Sequence, residues 1–448
     1  PPSNGAVRGG QPTPVPESDF KFERKQPAIV TKPLPTFEGE LLSVCERGTG
    51  QFKSISDAIE AARDGFRITV KPGVYQESLY IPKAIEITAE GAPGDVLVES
   101  FDAPCIVFDT DVALIRGLAL HLGHMEDGDG NYAIEVSRGR PVMEECDITS
   151  DSLACVAVYG ETAEPEFRRC QIHHSNEAGF LFWEQAKGLI EGCDIYGNAL
   201  AGIEIRQEAT PTITRSLIRD GEQSGILILE NGKGIIDTCE IFNNQLAGIE
   251  LKHGAEPVIR KCRIYDGRQS GVLILEGGKG HLDDCEIFEN DLANLEIKDQ
   301  GDPLLQNCQI HSGKKAGILV WESGFGKFQH CKIYENTLAG VNIKNEGNPV
   351  LHHCEIYENH QEGVLIWQGG RGTFQRCHIT GNMHVGILLQ SGADPVIRYT
   401  QAQENGDHGL YVDSSSKGSV EQCDFQSNTA GAWYIEEGSA VRLSNNRS

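Results

Sequence analysis

Carboxylates that could carry acid–base chemistry recur along this chain at a fixed interval. Glu204, Glu250 and Glu296 stand 46 residues apart (250 − 204 and 296 − 250), and His253 follows closely after Glu250. Paired carboxylates cleave glycosidic bonds, one as a general acid and the other as a base or nucleophile. One hypothesis is therefore a glycan-active enzyme that uses this carboxylate column, with His253 as a further acid or base.

Each glutamate lies in a short segment where apolar and polar residues alternate after a glycine, as in Gly-Ile-Glu-Ile-Arg at 202–206. Alternation with a period of two, rich in β-branched residues, predicts β-strands in which every second side chain faces outward. The second and fourth residues after each glycine should therefore face outward, and apolar pairs alternate with charged pairs from one repeat to the next. These residues are Leu181 and Trp183, Glu204 and Arg206, Leu227 and Leu229, Glu250 and Lys252, Leu273 and Leu275, Glu296 and Lys298, Leu319 and Trp321, Asn342 and Lys344, Leu365 and Trp367, Tyr411 and Asp413, and finally Trp433.

This outward face, with its repeated leucine and tryptophan, is the strongest functional signal in the sequence. Contiguous exposed apolar area usually marks a contact site, and tryptophan favours interfaces and ligand platforms. The cation beside each glutamate keeps it ionised, which suits a base but not an acid. We therefore favour non-catalytic recognition of a protein partner or an extended glycan, with a homodimer or packing against the leader segment as alternatives. The predicted ligand-binding residues are Trp183, Arg206, Leu229, Lys252, Leu275, Lys298, Trp321, Lys344 and Trp367.

The elements that position this face follow a repeat marked by cysteine. The cysteines stand 23 residues apart or a multiple of it, with Ser216 and Thr400 in the two vacancies, and Asn or Gly follows five residues later. Asn and Gly tolerate the left-handed backbone conformation, which indicates a turn. Short strands cannot bury their own apolar face unless repeats stack, so the sequence predicts an all-β, right-handed parallel β-helix with a 46-residue double-coil period. The cysteines of this column are Cys170, Cys193, Cys239, Cys262, Cys285, Cys308, Cys331, Cys354, Cys377 and Cys423.

The cysteine column is predicted to face inward, because the isoleucine two residues later must also face the core. Cysteine acts there as a small buried hydrophobe. Seven consecutive thiols cannot all pair into disulfides, and free buried thiols fit a reducing compartment, so we expect a cytoplasmic location. No metal or cofactor is predicted, because no Cys/His spacing typical of a zinc site occurs. "EDGDGN" at 126–131 has calcium-loop spacing, but Tyr132 stands where such a loop needs glycine, which favours a polar turn.

Composition and the N-terminal region set the remaining expectations. Residues 1–38 are rich in proline, glycine and charge and predict a flexible leader, followed by a cap and first coils at 39–95 and the β-helix at 96–448. "ISDAIEAARDG", which ends at Gly65, predicts a short helix that caps the open end of the β-helix. A formal net charge of −26 argues against nucleic acid and anionic membranes as partners. The sequence contains no apolar run of about 18 residues, so it predicts no membrane-spanning segment.

Two sets of phrases resemble known β-helix proteins. Lys-Pro-Gly-Val-Tyr-Gln-Glu at 71–77 and Ile-Pro-Lys-Ala-Ile-Glu-Ile at 81–87 resemble the start of the pectin-lyase-like superfamily, pectin methylesterases included. Pro-Val-Ile-Arg-Lys-Cys-Arg-Ile at 257–264 is similar to the β-helix repeats of F-box substrate receptors and of bacterial carbohydrate-binding or sugar-hydrolase-type domains. The resemblance implies the fold and, as the alternative to recognition, a polysaccharide hydrolase, lyase or epimerase that uses the carboxylate column. The catalytic motifs of pectin methylesterases and alginate epimerases have no counterpart in this chain.

Overall fold

The computed structural model describes residues 28–29, 32–123 and 130–448. Among these residues, short strands form three parallel sheets, called A, B and C here, and each coil of the chain visits them in the order B, C, A. Every strand pairs in parallel with its equivalent one coil away, as Glu250 does with Leu273 and Leu273 with Glu296. The predicted parallel β-helix is therefore confirmed.

The strand bounds follow the 23-residue repeat through most of the chain. Sheet A contains Leu41–Val44, Arg67–Val70, Glu86–Ala89, Leu114–Arg116, Val142–Glu144, Glu166–Arg168, Leu189–Glu191, Thr212–Thr214, Ile235–Asp237, Val258–Arg260, His281–Asp283, Leu304–Gln306, Lys327–Gln329, Val350–His352, Thr373–Gln375, Val396–Arg398, Lys417–Glu421 and Ala440–Ser444. Sheet B contains Gly73–Gln76, Val96–Ser100, Ala119–Leu122, Asp147–Ser150, Gln171–Ser175, Asp194–Tyr196, Leu217–Arg219, Glu240–Phe242, Arg263–Tyr265, Glu286–Phe288, Gln309–His311, Lys332–Tyr334, Glu355–Tyr357, His378–Thr380 and Gln401–Gln403. Sheet C contains Leu79–Ile81, Ile106–Phe108, Ile134–Val136, Val156–Tyr159, Phe180–Trp183, Ile203–Ile205, Ile226–Ile228, Ile249–Leu251, Val272–Ile274, Leu295–Ile297, Ile318–Val320, Val341–Ile343, Val364–Ile366, Ile387–Leu389, His408–Val412 and Gly431–Ile435.

A short helix, Ile55–Ala61, packs against the first coils and buries Ile55 and Ile59, as the sequence predicts for a cap. Both of its ends are satisfied by side chains from the following coil. The Glu77 carboxylate accepts from the backbone N–H groups of Ile55 and Ser56 at 2.9 and 2.8 Å. Lys83 Nζ donates to the carbonyl oxygens of Ile59, Glu60 and Ala62 at the other end. These contacts place opposite charges at the two ends of the helix dipole and fix the cap.

The cysteine column lies in the corner between sheets A and B and faces the core, as predicted. All 14 cysteines are free and buried. Cys308 Sγ contacts the carbonyl oxygens of Leu282 and Gln306 at 3.6 and 3.2 Å, so the thiol serves as a weak donor to the corner backbone. Burial raises the pKa of Cys105 to about 12 and that of Cys423 to about 11.

The Asn column has a different role from the one that the sequence suggests. The left-handed residue is the preceding one, for example Glu289 at φ 57° and Glu335 at φ 53°, and not the asparagine itself. The asparagines are buried and form an amide ladder in the corner between sheets B and C. Asn359 Nδ2, for example, donates to Asn382 Oδ1 at 2.9 Å. Asparagine is needed because one amide both donates to and accepts from the unpaired backbone groups of a buried corner.

Part of the predicted leader contacts sheet A. Arg168 Nη2 donates to the Lys32 carbonyl oxygen at 2.8 Å, and Arg140 Nη2 donates to that of Pro33 at 3.4 Å. Both arginines also pair with the buried Glu166. Lys32 and Pro33 of the predicted leader thus lie against sheet A. Residues 1–27 and most of "EDGDGN" lie outside the described residues, and the predicted domain boundaries remain predictions.

No helix among the described residues has the length and apolar character needed to cross a membrane.

Candidate functional site

The predicted outward face lies on sheet C. In the strand Ile203–Ile205 both isoleucines are fully buried while Glu204 between them faces out, and the same pattern recurs in each following coil. We call this surface the sheet C face. Its middle column contains Glu204, Leu227, Glu250, Leu273, Glu296, Leu319, Asn342 and Leu365, and its second column contains Arg206, Leu229, Lys252, Leu275, Lys298, Trp321, Lys344 and Trp367.

Two predicted members differ from the prediction. Trp433 pairs with the inward-facing Leu410, and its ring packs edge-on against Phe425 at 6.0 Å, so it belongs to the core at the C-terminal end. The reason is that Ala432, not Gly431, occupies the position of the repeated glycine. Leu181 faces outward but is only 6% exposed, because other side chains of the face cover it. The leucines and tryptophans of the later coils are half-buried rather than fully exposed.

Lysines and tryptophans interleave along the second column. Lys298 Nζ lies 5.0 Å from the Trp321 ring centroid, and Lys344 Nζ lies 4.9 Å from the Trp321 ring and 5.6 Å from the Trp367 ring. Each of these cation–π contacts contributes roughly 0.5–1 kcal/mol at a partly exposed site. The lysine stems also cover part of each indole, which explains why the tryptophans are only half-exposed.

Both indole N–H groups are anchored to the preceding coil. Trp321 Nε1 donates to Glu296 Oε1 at 3.0 Å, and Trp367 Nε1 donates to Asn342 Oδ1 at 2.9 Å. The rings are therefore held in fixed orientations before any ligand arrives, which reduces the entropy lost on binding.

The carboxylates of the middle column are already engaged. Glu250 accepts from Lys252 Nζ at 3.0 Å and from Ser224 Oγ at 2.9 Å. Glu296 accepts from Ser270 Oγ at 2.6 Å as well as from Trp321. Both glutamates are therefore held by neighbouring side chains before any ligand arrives.

For Glu204 the pKa shift runs against the expectation that the neighbouring cation keeps the carboxyl ionised. Burial raises the pKa of its carboxyl, although the guanidinium of Arg206, 3.2 Å away, works in the opposite direction. His253 lies in the turn after the strand, with Nε2 2.8 Å from Glu276 Oε2 of the next coil. Its role as a further acid or base remains a prediction.

An aromatic group that the sequence reasoning missed lies beside Glu204. The Trp183 ring stacks on Tyr159 at 4.7 Å and contacts Tyr132 at 6.1 Å. We call Tyr132, Tyr159, Trp183, Glu204 and Arg206 the head-end cluster. A sequence signal was present: the step from Leu118 to Cys146 is 28 residues (146 − 118) instead of 23, so this coil is longer than the repeat.

A second missed feature is an aromatic ladder on the outer surface of sheet B. Six rings stack one coil apart with centroid distances of 4.6–5.2 Å. Their faces are occupied by each other, so the ladder stabilises the stack of coils and does not present free ring faces to a ligand. The signal was a ring three residues after each cysteine from Cys239 to Cys354. The six residues are Phe242, Tyr265, Phe288, His311, Tyr334 and Tyr357.

Within residues 32–123 and 130–448, no three His, Cys, Asp or Glu side chains are grouped so that they could hold a metal ion.

Comparison with known proteins places the chain among β-helix proteins. Residues 124–233, 201–337 and 297–448 each match the family model described as "Right handed beta helix region". A probable pectinesterase/pectinesterase inhibitor 23 of Arabidopsis thaliana is 26% identical over 169 residues, which cover 34% of this chain and 29% of that protein. The match therefore spans less than a third of the relative's length.

Two solved structures illustrate the range of similar proteins. The A-module of a mannuronan C-5 epimerase from Azotobacter vinelandii is 14% identical, with a TM-score of 0.38 over 86% of this chain and 93% of that chain. The Agl-KA catalytic domain is 11% identical, with a TM-score of 0.45 over 93% of this chain and 70% of that chain. The family matches run without a break from residue 124 to residue 448, more than half of the sequence, and the chain therefore belongs to the right-handed β-helix family.

Proposed function

We propose that this protein is a non-catalytic recognition β-helix that binds an extended glycan along the sheet C face. The observation that carries the proposal is the ladder of Lys298, Trp321, Lys344 and Trp367, in which anchored indoles alternate with lysines. Aromatic rings supply apolar contact for the C–H faces of sugars, and lysines and glutamates supply hydrogen bonds for their hydroxyls.

The regularity of the face supports an extended ligand. Equivalent residues recur every second coil, which corresponds to about 9–10 Å because adjacent strands lie about 4.8 Å apart. A repeating polymer can make the same contact at each repeat, whereas a compact small molecule would use only one. Multiple equivalent contacts also raise the effective affinity without any single tight site.

The engaged carboxylates favour binding over catalysis. The oxygens of Glu250 and Glu296 already accept hydrogen bonds from Ser224, Lys252, Ser270 and Trp321. A catalytic carboxyl must reach the reacting atoms of the substrate, whereas these two are held by bonds to their own neighbours in the protein.

A polysaccharide-active enzyme is the second candidate, and Glu204 is the observation that favours it. Burial raises the pKa of this carboxyl, which is the direction that a general acid requires. The Arabidopsis thaliana relative carries the name of an enzyme, although it is matched over only 29% of its length. In this hypothesis Glu204 is the acid, and its change to Gln abolishes turnover.

A single assay separates these proposals. Intrinsic tryptophan fluorescence of the purified chain is followed against homogalacturonan, mannuronan, xylan and a neutral β-glucan, with reducing ends and unsaturated products measured in the same wells. Binding without product supports recognition, and product that disappears in Glu204→Gln supports the enzyme. If neither signal appears, the glycan proposal is refuted; sedimentation at several concentrations and capture of protein partners then test the homodimer and the protein ligand.

Variants locate the binding surface. Trp321→Ala and Trp367→Ala remove central aromatic anchors, for which losses of about 2 kcal/mol or more in binding are typical. Because these variants also lose fluorophores, their affinities are measured by titration calorimetry. Met383→Ala is the control, since Met383 is an apolar side chain that is 63% exposed and is not part of the sheet C face.

A further inference from the structure

The sheet C face is closed at its N-terminal end. Leu181 stands in the same column as Leu227 but is only 6% exposed, and the two alanines beside it are also buried. Tyr132 and Trp183 pack over these residues, and Tyr132 reaches Trp183 from two coils away. From Glu204 onward the side chains of the middle column are partly exposed. The face therefore consists of a long open run with a wall of aromatic rings at one end.

Arg206 lies beside this wall and carries a donor that the protein leaves unpaired. Its Nη1 is 3.2 Å from Glu204 Oε1, whereas its Nε is buried and has no hydrogen-bond acceptor among the described residues. An unpaired buried donor on a charged group is costly, and the rest of this guanidinium, in a side chain that is 34% exposed, is open to a ligand oxygen. Glu204, whose side chain is 16% exposed, offers an acceptor at the same place.

We infer that the head-end cluster is a terminal subsite, which binds the last sugar of a glycan chain and not a sugar within it. This inference rests on the function proposed above. The terminal sugar packs against the wall of Tyr132 and Trp183. Its free hydroxyl donates a hydrogen bond to the Glu204 carboxylate and accepts one from the Arg206 guanidinium. The remainder of the chain runs from there along the open face toward Trp321 and Trp367.

Chemistry distinguishes a chain end from the interior of the same chain. The terminal sugar has a hydroxyl that both donates and accepts at the position where an internal sugar has a glycosidic oxygen, which cannot donate. A site that pairs a donor with an acceptor rejects a group that satisfies only one of them, because the other is left buried and unpaired. The wall adds a steric reason, since an internal sugar would need space for its next neighbour.

The test compares intact and shortened chains of the same glycan. Homogalacturonan, mannuronan and xylan are each titrated intact and after partial hydrolysis, at equal mass concentration, against the wild type. A terminal subsite predicts that binding per unit mass rises in proportion to the number of chain ends. Binding that is unchanged or weaker after hydrolysis overturns the terminal subsite and leaves the proposed function standing. No binding to any chain, intact or short, overturns the proposed function itself.

Variants assign the effect to the cluster. Arg206→Lys keeps the positive charge beside Glu204 but removes the Nε donor, and the affinity for short chains should fall roughly 10- to 100-fold. Tyr132→Ala opens the wall and should remove the preference for short chains. Trp367→Ala should weaken intact and short chains alike. Thermal unfolding confirms that each variant is folded, and an Arg206→Lys variant that keeps the wild-type preference refutes the assignment.

Discussion

Replacing Asn359 by alanine perturbs the buried amide ladder that holds the corner between sheets B and C. Asn359 is 0% exposed, and its Oδ1 accepts from the backbone N–H of Asn336 at 3.1 Å and from Asn336 Nδ2 at 3.0 Å. Its Nδ2 donates to the carbonyl oxygens of Ile333 and Tyr357 and to Asn382 Oδ1. The alanine variant loses all of these side-chain bonds while the backbone continues unchanged.

The expected loss follows from which partners remain satisfied. Asn336 Nδ2 keeps its bond to the Tyr334 carbonyl, and Asn382 Oδ1 keeps the backbone N–H of Asn359. The backbone N–H of Asn336 is left buried without an acceptor, which costs about 1–3 kcal/mol. The lost bonds to the carbonyl groups add about 1 kcal/mol more. We therefore expect the free energy of unfolding to fall by about 2–4 kcal/mol.

Guanidinium unfolding followed by far-ultraviolet circular dichroism measures this loss. The control is Glu355→Ala in the same coil, because Glu355 is half-exposed and pairs with Lys332 across 3.7 Å. Exposed ion pairs contribute at most about 1 kcal/mol, so the control should unfold close to the wild type. If Asn359→Ala is no less stable than this control, the amide ladder does not stabilise the corner and the reasoning is refuted.

Three further predictions concern stability and reactivity. The pKa of Glu204 is raised in the folded state, so its contribution to stability is present below its unfolded pKa and is lost as the pH rises through the folded value. The stability of Glu204→Gln relative to the wild type should therefore improve as the pH rises above about 4.3. A difference in stability that stays constant with pH would contradict the shift. Phe288→Ala removes a ring that stacks on Tyr265 at 4.8 Å and on His311 at 5.2 Å, and should lower the free energy of unfolding by about 3 kcal/mol, as measured by thermal unfolding. Tyr357→Ala, at the end of the ladder, should lower it by less. Equal losses in the two variants would contradict a stacking role. Burial raises the pKa of thiols such as Cys170, so a thiol reagent should label the native chain slowly and the unfolded chain completely; rapid labelling of the native chain would contradict the buried column.

The periodic features of the fold could be predicted from the sequence because each depends on local spacing. Alternation of apolar and polar residues determines which side chains face outward, so the sequence alone predicts that Glu250, Lys252 and Trp321 share one face. The 23-residue step likewise places Cys308 in the core beside Leu282. The sequence did not reveal that the asparagine of each turn is a buried donor and acceptor. Asparagine is favoured both in turns and where buried backbone groups need a hydrogen-bond partner, so its presence alone does not distinguish the two roles.

The remaining differences arise where the repeat is interrupted or where contacts cross coils. Trp433 faces the core because the last coil has Ala432 at the glycine position, so the register differs by one residue from the apparent pattern. The contact of Tyr132 with Trp183 depends on extra residues in one coil and joins side chains that are far apart in sequence. The contact of His253 with Glu276 likewise joins side chains of neighbouring coils, which the local spacing of residues does not reveal. The cytoplasmic location remains a prediction.

Titration calorimetry of the wild type and of Trp321→Ala and Trp367→Ala, against the polysaccharide that gives the strongest fluorescence response, tests the central claim most directly. The account predicts that the wild type binds without forming product and that each variant loses about 2 kcal/mol or more of binding free energy, roughly 30-fold in Kd. Met383→Ala should bind as the wild type does. Binding that persists unchanged in both tryptophan variants would place the ligand elsewhere and contradict the assignment of the sheet C face.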